Sequence, residues 1–455
     1  MSKTSNFLKN MGAGTWSRAS NILFKLIQVP MFLVYLSPED YGRWLILYSL
    51  PSWLAYASQG FGSVAANEIP IQVAAGDEGA ARKIYSTSFA FMLALTLGGL
   101  TIVGLIAPWF PWADFLKAGA QRHGEIAMAA VWLTLSVLLS FLGELFYGRF
   151  RAGQKAHTAI LVASFHPWIE LVLLFIALQF TSRFDLLALF VLGATVVYLL
   201  IYGLSSYRAF PSIKFRYGEI DKTQFGMLFK KGFAFQAFPL GNALLFQGNL
   251  LVVQLLLGPA AVTLFGTVRT LVRVLNQALE LVSKSIWPEM SYLYGAGDLA
   301  GMRSIHRMGV GLCVLLALVG VCGMALSGGY LYEFWVRDSL QLPFFLLLLF
   351  LLPVPFNALW ITSSTVLLAS NQHEKLATRY LVATALSAVG CIGLTYAMGI
   401  GGAAMSTVVA DLILIPYVVQ QALLHTGDKW SSFPAGVMEE LKLGVSKISG
   451  KIKLT

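Results

Sequence analysis

Two pairs of basic residues lie inside long apolar stretches of the sequence, where charges are rare. Arg18 and Lys25 occur in the first such stretch, and Arg269 and Arg273 occur in a later one. A charge at the centre of a membrane span costs about 2.5–3.5 kcal/mol on insertion scales. Two arginines four residues apart on a helix repel each other unless an anion or water separates them. The pattern predicts a site for an anion, with phosphate or pyrophosphate as the favoured candidate.

Polar side chains accompany both basic pairs at helical spacing, and this widens the candidate site. Asn21 and Gln28 share a helix face with the first pair. The seventh apolar stretch combines polar residues with helix breakers, which is typical of a bendable helix that lines a cavity. The first stretch, with Pro30, is expected to be interrupted in the corresponding region. The predicted substrate-binding residues are Arg18, Asn21, Lys25, Gln28, Asn242, Asn249, Arg269 and Arg273.

Four acidic residues also fall within apolar stretches, and they offer a competing explanation for the cations. They are Glu144, Glu170, Glu280 and Asp411. Each half of the chain has two cations and two acids, so internal pairing is the alternative to an anionic ligand. Glu170, Asp411 and Glu280 are candidates for coupling to H⁺ or Na⁺. For Glu170 and Asp411, hydrogen bonding between helices is the plain structural alternative.

The composition indicates that the elements carrying these residues are membrane helices. The chain has 455 residues, of which 57% are hydrophobic and 12% are charged, about half the charge of a soluble domain. It shows no cleavable signal, since the first apolar stretch is charged and has no small-residue cleavage site. The predicted spans are 12–36, 44–66, 84–108, 126–147, 158–180, 186–204, 233–257, 262–283, 305–327, 343–369, 378–398 and 402–424.

The distribution of lysine and arginine predicts the orientation of these spans. With a cytoplasmic N-terminus, the inner connections hold 23 such residues and the outer ones hold 5. The positive-inside rule therefore places both termini in the cytoplasm. The net charge of +10 reflects this topology and contact with anionic membrane lipids. A nucleic-acid partner is excluded because the charges are dispersed over loops.

An internal repeat divides the chain into two halves. Residues 75–84 resemble residues 296–305 at an offset of 221, and the same offset aligns 36–38 with 257–259. The predicted fold is all-α, with about twelve transmembrane helices in two six-helix lobes related by a pseudo-two-fold axis along the membrane normal, around a central cavity. The predicted parts are an N-lobe (1–204), a cytoplasmic linker (205–231), a C-lobe (232–424) and a basic tail (425–455). The tail is either an amphipathic helix on the inner surface or a solvated segment.

The sequence gives little support for an enzyme. Its six histidines are scattered singly, and no metal-ligand spacing or phosphate-binding glycine-rich lysine motif occurs. We therefore expect a secondary transporter without a cofactor, apart from a coupling ion. A drug exporter for organic cations would need an acid-lined cavity, whereas these helices carry four cations.

Several short motifs, in this order along the chain, resemble one transporter family. They are Gly14-Thr15-Trp16, the run Pro38–Trp44, Gly60-Phe61-Gly62 with Asn67, the loop Ala75-Gly76-Asp77, Gln154 and the run Gly399–Ala404. From Phe7 to about Leu424 the chain resembles bacterial polysaccharide transporters, the O-antigen repeat-unit flippases (Wzx type) of the multidrug/oligosaccharidyl-lipid/polysaccharide (MOP) superfamily.

The resemblance implies a two-lobed transporter of the bacterial cytoplasmic membrane that works by alternating access. Its substrate would be an undecaprenyl-pyrophosphate-linked oligosaccharide, moved from the inner to the outer leaflet. The four cations would then hold the pyrophosphate and sugar headgroup. A polysaccharide polymerase and a chain-length regulator are candidate partners. A lipid II type flippase and a cation or drug antiporter of the MATE type are the alternatives.

Overall fold

The computed structural model describes residues 3–221, 236–337, 339–370 and 372–452, and their regular structure is entirely helical. Within these ranges, the longer helices form twelve segments of membrane-spanning length and a C-terminal helix, and a short helix (Trp112–Phe115) and a 3₁₀ turn (Tyr217–Glu219) lie in the connections. The longer helices are α1 (Lys3–Tyr35), α2 (Pro38–Ala74), α3 (Glu78–Ile106), α4 (Ala120–Ala152), α5 (Ala156–Phe180), α6 (Phe184–Ala209), α7 (Ala237–Leu256), α8 (Pro259–Gly295), α9 (Leu299–Val336), α10 (Phe344–Ala369), α11 (His373–Met398), α12 (Ile400–Thr426) and α13 (Phe433–Ile452).

These segments correspond one to one with the twelve apolar stretches of the sequence. Within the described ranges, nine are long and apolar enough to cross a bilayer, while α1, α2 and α8 are long enough but more polar. An all-helical, multi-pass membrane fold is therefore confirmed. Most of the helices begin before the predicted span, and several end after it, because the helical backbone continues past the apolar core of the stretch, whereas α10 lies within its predicted span. Residues 222–231 of the predicted linker, 233–235 of the seventh span and 453–455 of the tail lie outside the described residues.

The two helices expected to be interrupted behave differently. The expectation is wrong for α1, which is one continuous helix with Pro30 inside it. In contrast, α7 changes at Leu244–Gly248 from an α-helix to a π-helix and returns to an α-helix at Asn249. We call this single turn of π-helix, Leu244–Gly248, the π-turn. It adds one residue to the helix and shifts the i→i−4 hydrogen bonds, so some backbone groups lose their ordinary helical partners.

The predicted repeat is visible in the local geometry of each half. Helices α2 and α8 both have 37 residues, and their first and last residues are separated by the same offset of 221. Both are followed by a glycine in the left-handed region, Gly76 at φ 82° and Gly297 at φ 71°. The next residue then caps the following helix, since Asp77 accepts from the Ala80 N–H and Asp298 from the Gly301 N–H, each at 2.8 Å. Equivalent loops therefore use equivalent turn chemistry.

Contacts divide the chain into two compact units. The first contains the described residues of Met1–Ala243 with Gly258–Thr263, and the second contains those of Leu244–Leu257 with Leu264–Thr455. The chain passes from the first unit to the second inside α7, where the π-turn begins. The lobe boundaries expected from the sequence stay a prediction.

The C-terminal helix packs against its own unit. Phe433 and Val437 of α13 contact an apolar cluster that includes Val310 of α9. The Arg307 guanidinium and the Asp428 carboxylate form a two-pronged ion pair, with both N···O distances at 2.7 Å. Part of the apolar face expected to lie on the membrane surface is therefore covered by α9.

Candidate functional site

Arg269 and Arg273 lie in the second unit, where α8 contacts the π-turn of α7. The Nη1 atom of Arg269 donates to the carbonyl oxygen of Phe246 at 2.6 Å. The guanidinium carbon of Arg273 lies 4.2 Å from the centroid of the Phe246 ring, and that of Arg269 lies 5.7 Å from it. Both cations therefore contact one aromatic ring, and Arg269 also binds the backbone carbonyl of the same residue.

These contacts hold the arginines without cancelling their charge. An aromatic face attracts a cation through its quadrupole but carries no net charge. The Arg269 guanidinium also lies 5.3 Å from the ring of buried Phe265, so it is held between two rings. The arrangement therefore places two positive charges around one aromatic ring, and that ring carries no opposite charge.

The acid that follows the arginines on α8 is engaged by a neighbouring lysine. Glu280 pairs with Lys284 at 3.0 Å, one helical turn away, and both side chains are exposed. Gln277, between Arg273 and Glu280, is half-buried. The coupling role suggested for Glu280 stays a prediction.

In the first unit, α1 presents its basic and its packed residues on different faces. Arg18, Asn21 and Lys25 are exposed. Ser20 and Phe24 are buried, and the Ser20 hydroxyl donates to the Ser164 carbonyl of α5 at 3.1 Å. The α5 contact therefore fixes which face of α1 carries the cations.

The remaining predicted binding residues differ from one another in burial and in hydrogen bonding. The Asn21 amide donates back to the Ser17 carbonyl at 2.8 Å, and Gln28 and Asn242 are half-buried. Asn249 is fully buried, and its amide donates to the Ser406 hydroxyl of α12 at 3.2 Å, while its side-chain oxygen has no hydrogen-bond partner among the described residues. Asn249 therefore belongs to the packed interior of the second unit.

Each unit also contains one buried acid held by neutral donors. Glu170 is 3% exposed and accepts from the Tyr48 hydroxyl at 3.0 Å. Asp411 is 4% exposed and accepts from the Asn357 amide at 2.9 Å and the Trp360 indole at 2.8 Å. Neutral donors stabilise a carboxylate without supplying an opposite charge. No group of three or more histidine, cysteine or acidic side chains in the described ranges could hold a metal ion.

Internal pairing with acids does not account for Arg18 and Arg273, the first and last of the four cations along the sequence. Within the described part of the chain, neither Arg18 nor Arg273 has an ion pair with a carboxylate. The buried acids that competed for them are bound to Tyr48 and to Asn357 and Trp360 instead. Arg18 and Arg273 therefore remain candidates for binding an anion.

Comparison with solved structures identifies the fold of this chain, whereas comparison of its sequence with known proteins does not. No family model and no curated protein sequence matches the chain. An inward-facing multidrug resistance MATE family transporter of the MOP superfamily matches with a TM-score of 0.73 and 14% identity, over 89% of this chain and 94% of that one. The chain has the fold of the MOP superfamily transporters.

Two further structures extend this likeness over nearly the whole MOP fold. The lipid II flippase MurJ, in an inward closed conformation, matches with a TM-score of 0.69 and 13% identity, over 99% of this chain and 100% of that chain. A MOP superfamily transporter from Pyrococcus furiosus, described as having a binding pocket of reversed polarity, matches with a TM-score of 0.65 and 14% identity, over 94% of this chain and 96% of that chain. Proteins with this fold therefore handle unlike substrates, and this chain's own residues must indicate its ligand.

Sequence reasoning missed the neutral residues that hold the charged ones. Phe246 lies in an apolar stretch rich in aromatic residues, and nothing in the sequence marks the π-turn that contains it. Tyr48 and Trp360 were equally unmarked. Asn357 carried a weak signal, since an amide inside an apolar span usually forms hydrogen bonds between helices.

Proposed function

We propose that the chain is a flippase for an undecaprenyl-pyrophosphate-linked oligosaccharide, an O-antigen or exopolysaccharide repeat unit. The observation that carries the proposal is that Arg269 and Arg273 share the Phe246 ring while the buried acids bind neutral donors. A pyrophosphate linking a lipid and a sugar carries two negative charges, which match two neighbouring guanidinium groups. Arg18 and Lys25, in the first unit, are also proposed to bind a substrate headgroup.

Transport would move the headgroup from the inner to the outer leaflet of the bacterial cytoplasmic membrane, with both termini of the protein in the cytoplasm. Glu170 and Asp411 are our candidates for coupling this movement to H⁺ or Na⁺, and Glu280 is a third. A polysaccharide polymerase and a chain-length regulator are the proposed partners. The fold of the neighbours supports a transporter, and the basic pairs support an anionic lipid as its substrate.

The test is translocation in liposomes containing the purified protein and a fluorescent undecaprenyl-pyrophosphate-linked oligosaccharide. Hydrogen bonds to charged groups contribute about 1.5–3 kcal/mol, so Arg273→Ala should lower translocation roughly 10- to 100-fold. Arg18→Ala, Lys25→Ala and Arg269→Ala should act in the same direction. Arg183→Ala, in an exposed loop pair with Asp185, is the matched control and should keep wild-type activity. Wild-type translocation by all four test variants would refute the proposal.

A lipid II flippase is the second candidate, because MurJ shares the fold over nearly its full length. Lipid II also joins a lipid to a sugar through pyrophosphate, so the basic pairs fit it equally well. The same liposomes loaded with lipid II decide between the two substrates. Export of cationic dyes would instead support a MATE-type antiporter, which the four cations on these helices disfavour.

A further inference from the structure

We propose that Phe246 is a positioning residue that holds Arg269 and Arg273 as a preformed pair for the two phosphoryl groups of a diphosphate. This proposal rests on the proposed function, because it assigns a specificity role within the same basic site. It depends on the ring and carbonyl contacts of one residue that touches both arginines.

The first step of the argument is electrostatic. The two ring distances place the guanidinium groups within about 10 Å of each other, close enough to repel in a medium of low dielectric. Without a support, each long side chain would turn away from the other and toward water or the membrane surface. A shared aromatic ring opposes this movement because it attracts both cations at once.

The second step is geometric. Arg269 is held at a second point by the Phe246 carbonyl, 2.6 Å from Nη1. That carbonyl lies within the π-turn Leu244–Gly248, where the shifted ladder leaves backbone acceptors for other donors. One residue thus fixes Arg269 by its backbone and Arg273 by its ring, so the spacing between the two charges depends on Phe246.

The third step concerns the ligand. A monophosphate offers one phosphoryl group to the two arginines, whereas a diphosphate offers two, one for each guanidinium group. A pair of guanidinium groups held in place binds the two phosphoryl groups with less loss of side-chain entropy than a mobile pair does. Phe246 should therefore strengthen binding of diphosphates more than binding of monophosphates.

The test measures binding of farnesyl diphosphate, farnesyl monophosphate and farnesol to the purified full-length protein by calorimetry. Phe246→Leu keeps an apolar side chain and removes the ring, and it should weaken diphosphate binding about tenfold, as expected for a desolvated cation–π contact. It should leave farnesol binding unchanged. Phe246→Tyr retains an aromatic face and should restore diphosphate binding.

Two controls separate a positioning role from a general structural one. Tyr417→Leu removes an equally close ring in the second unit, 3.9 Å from the Arg379 guanidinium, and should not alter diphosphate binding. In an Arg273→Ala background, Phe246→Leu should have a smaller effect than in the wild type, because the two residues act through one contact.

The outcomes distinguish this proposal from the function on which it rests. If Arg273→Ala loses diphosphate binding while Phe246→Leu retains it, the positioning role is wrong and the anion site stands. If Phe246→Leu weakens farnesol and diphosphate equally, or Phe246→Tyr fails to restore binding, the positioning role is also wrong. If Arg269→Ala and Arg273→Ala both bind diphosphate as the wild type does, the proposed function fails together with the inference.

Discussion

The ion pair between Arg307 and Asp428 should control how firmly α13 is attached to α9. The Asp428 side chain is 1% exposed and the Arg307 side chain is 16% exposed, so the pair is largely shielded from water. Asp428 also accepts from the Lys429 N–H at 2.8 Å and from the Ser432 hydroxyl at 3.2 Å, just before α13 begins. A Cβ on Gly436 would overlap the Arg307 guanidinium, so helix and arginine are in close contact.

The change Asp428→Asn keeps the size of the side chain and removes its charge. Hydrogen bonds to a charged group contribute about 1.5–3 kcal/mol, and loss of the charge should weaken the docking of α13 by about 2 kcal/mol. That loss corresponds to a roughly 30-fold larger undocked fraction. The assay is amide hydrogen exchange of the α13 segment at pH 7. Lys442→Gln, on an exposed position of α13, is the control and should exchange at the wild-type rate.

The same pair predicts a pH dependence with a defined sign. Burial raises the pKa of Asp428, but the hydrogen bonds from Arg307, the Lys429 N–H and Ser432 outweigh it and hold the pKa below its ordinary value. The stabilisation is therefore complete above the ordinary aspartate pKa of about 3.9 and is lost as the pH falls through the lowered pKa. In the wild type, a spin label on α13 should gain mobility only as the pH falls through the lowered pKa of Asp428. Equal exchange rates for Asp428→Asn and wild type would refute the reasoning.

Further predictions concern a close contact in the first unit and the two buried acids. Gly42→Ala places a Cβ onto the Pro259 carbonyl oxygen, so it should cost about 1–3 kcal/mol and lower the melting temperature in detergent. Gly98→Ala, which meets nothing within 4 Å, is its control, and equal melting temperatures would contradict the packing argument. Glu170→Gln and Asp411→Asn each remove one buried carboxylate, and at least one should abolish the H⁺ or Na⁺ dependence of transport in vesicles. Unchanged ion dependence in both variants would exclude them from coupling.

The sequence predicted the helical framework well because that framework follows from local physics. Long apolar stretches must form helices in a membrane, since only a helix satisfies every backbone group within a single segment. The repeat was also recoverable, because its loops need particular residue types. Gly76 and Gly297 adopt positive φ, and Asp77 and Asp298 cap the next helix. Such requirements leave a mark in the sequence even where the apolar residues between them have diverged.

Helix irregularities were harder to predict, because they depend on compensation by neighbours. Pro30 was expected to interrupt α1, yet the helix continues through it. The π-turn of α7 occurs beside several glycines and amides, but its position at Leu244–Gly248 follows from no local rule. A proline or an inserted residue changes a few backbone hydrogen bonds, and tertiary contacts then decide whether the helix breaks.

The charges of the candidate site show why a count of acids and bases could not choose between internal pairing and an anionic ligand. Equal numbers of cations and acids in each half made pairing plausible. In the second unit, however, Asp411 binds Asn357 and Trp360, while Arg273 binds the face of Phe246. Neutral partners of this kind are indistinguishable from ordinary span residues in a sequence. They keep Arg273 and Asp411 on separate neutral partners, which is the arrangement that the proposed coupling of a cation to an anionic lipid would need.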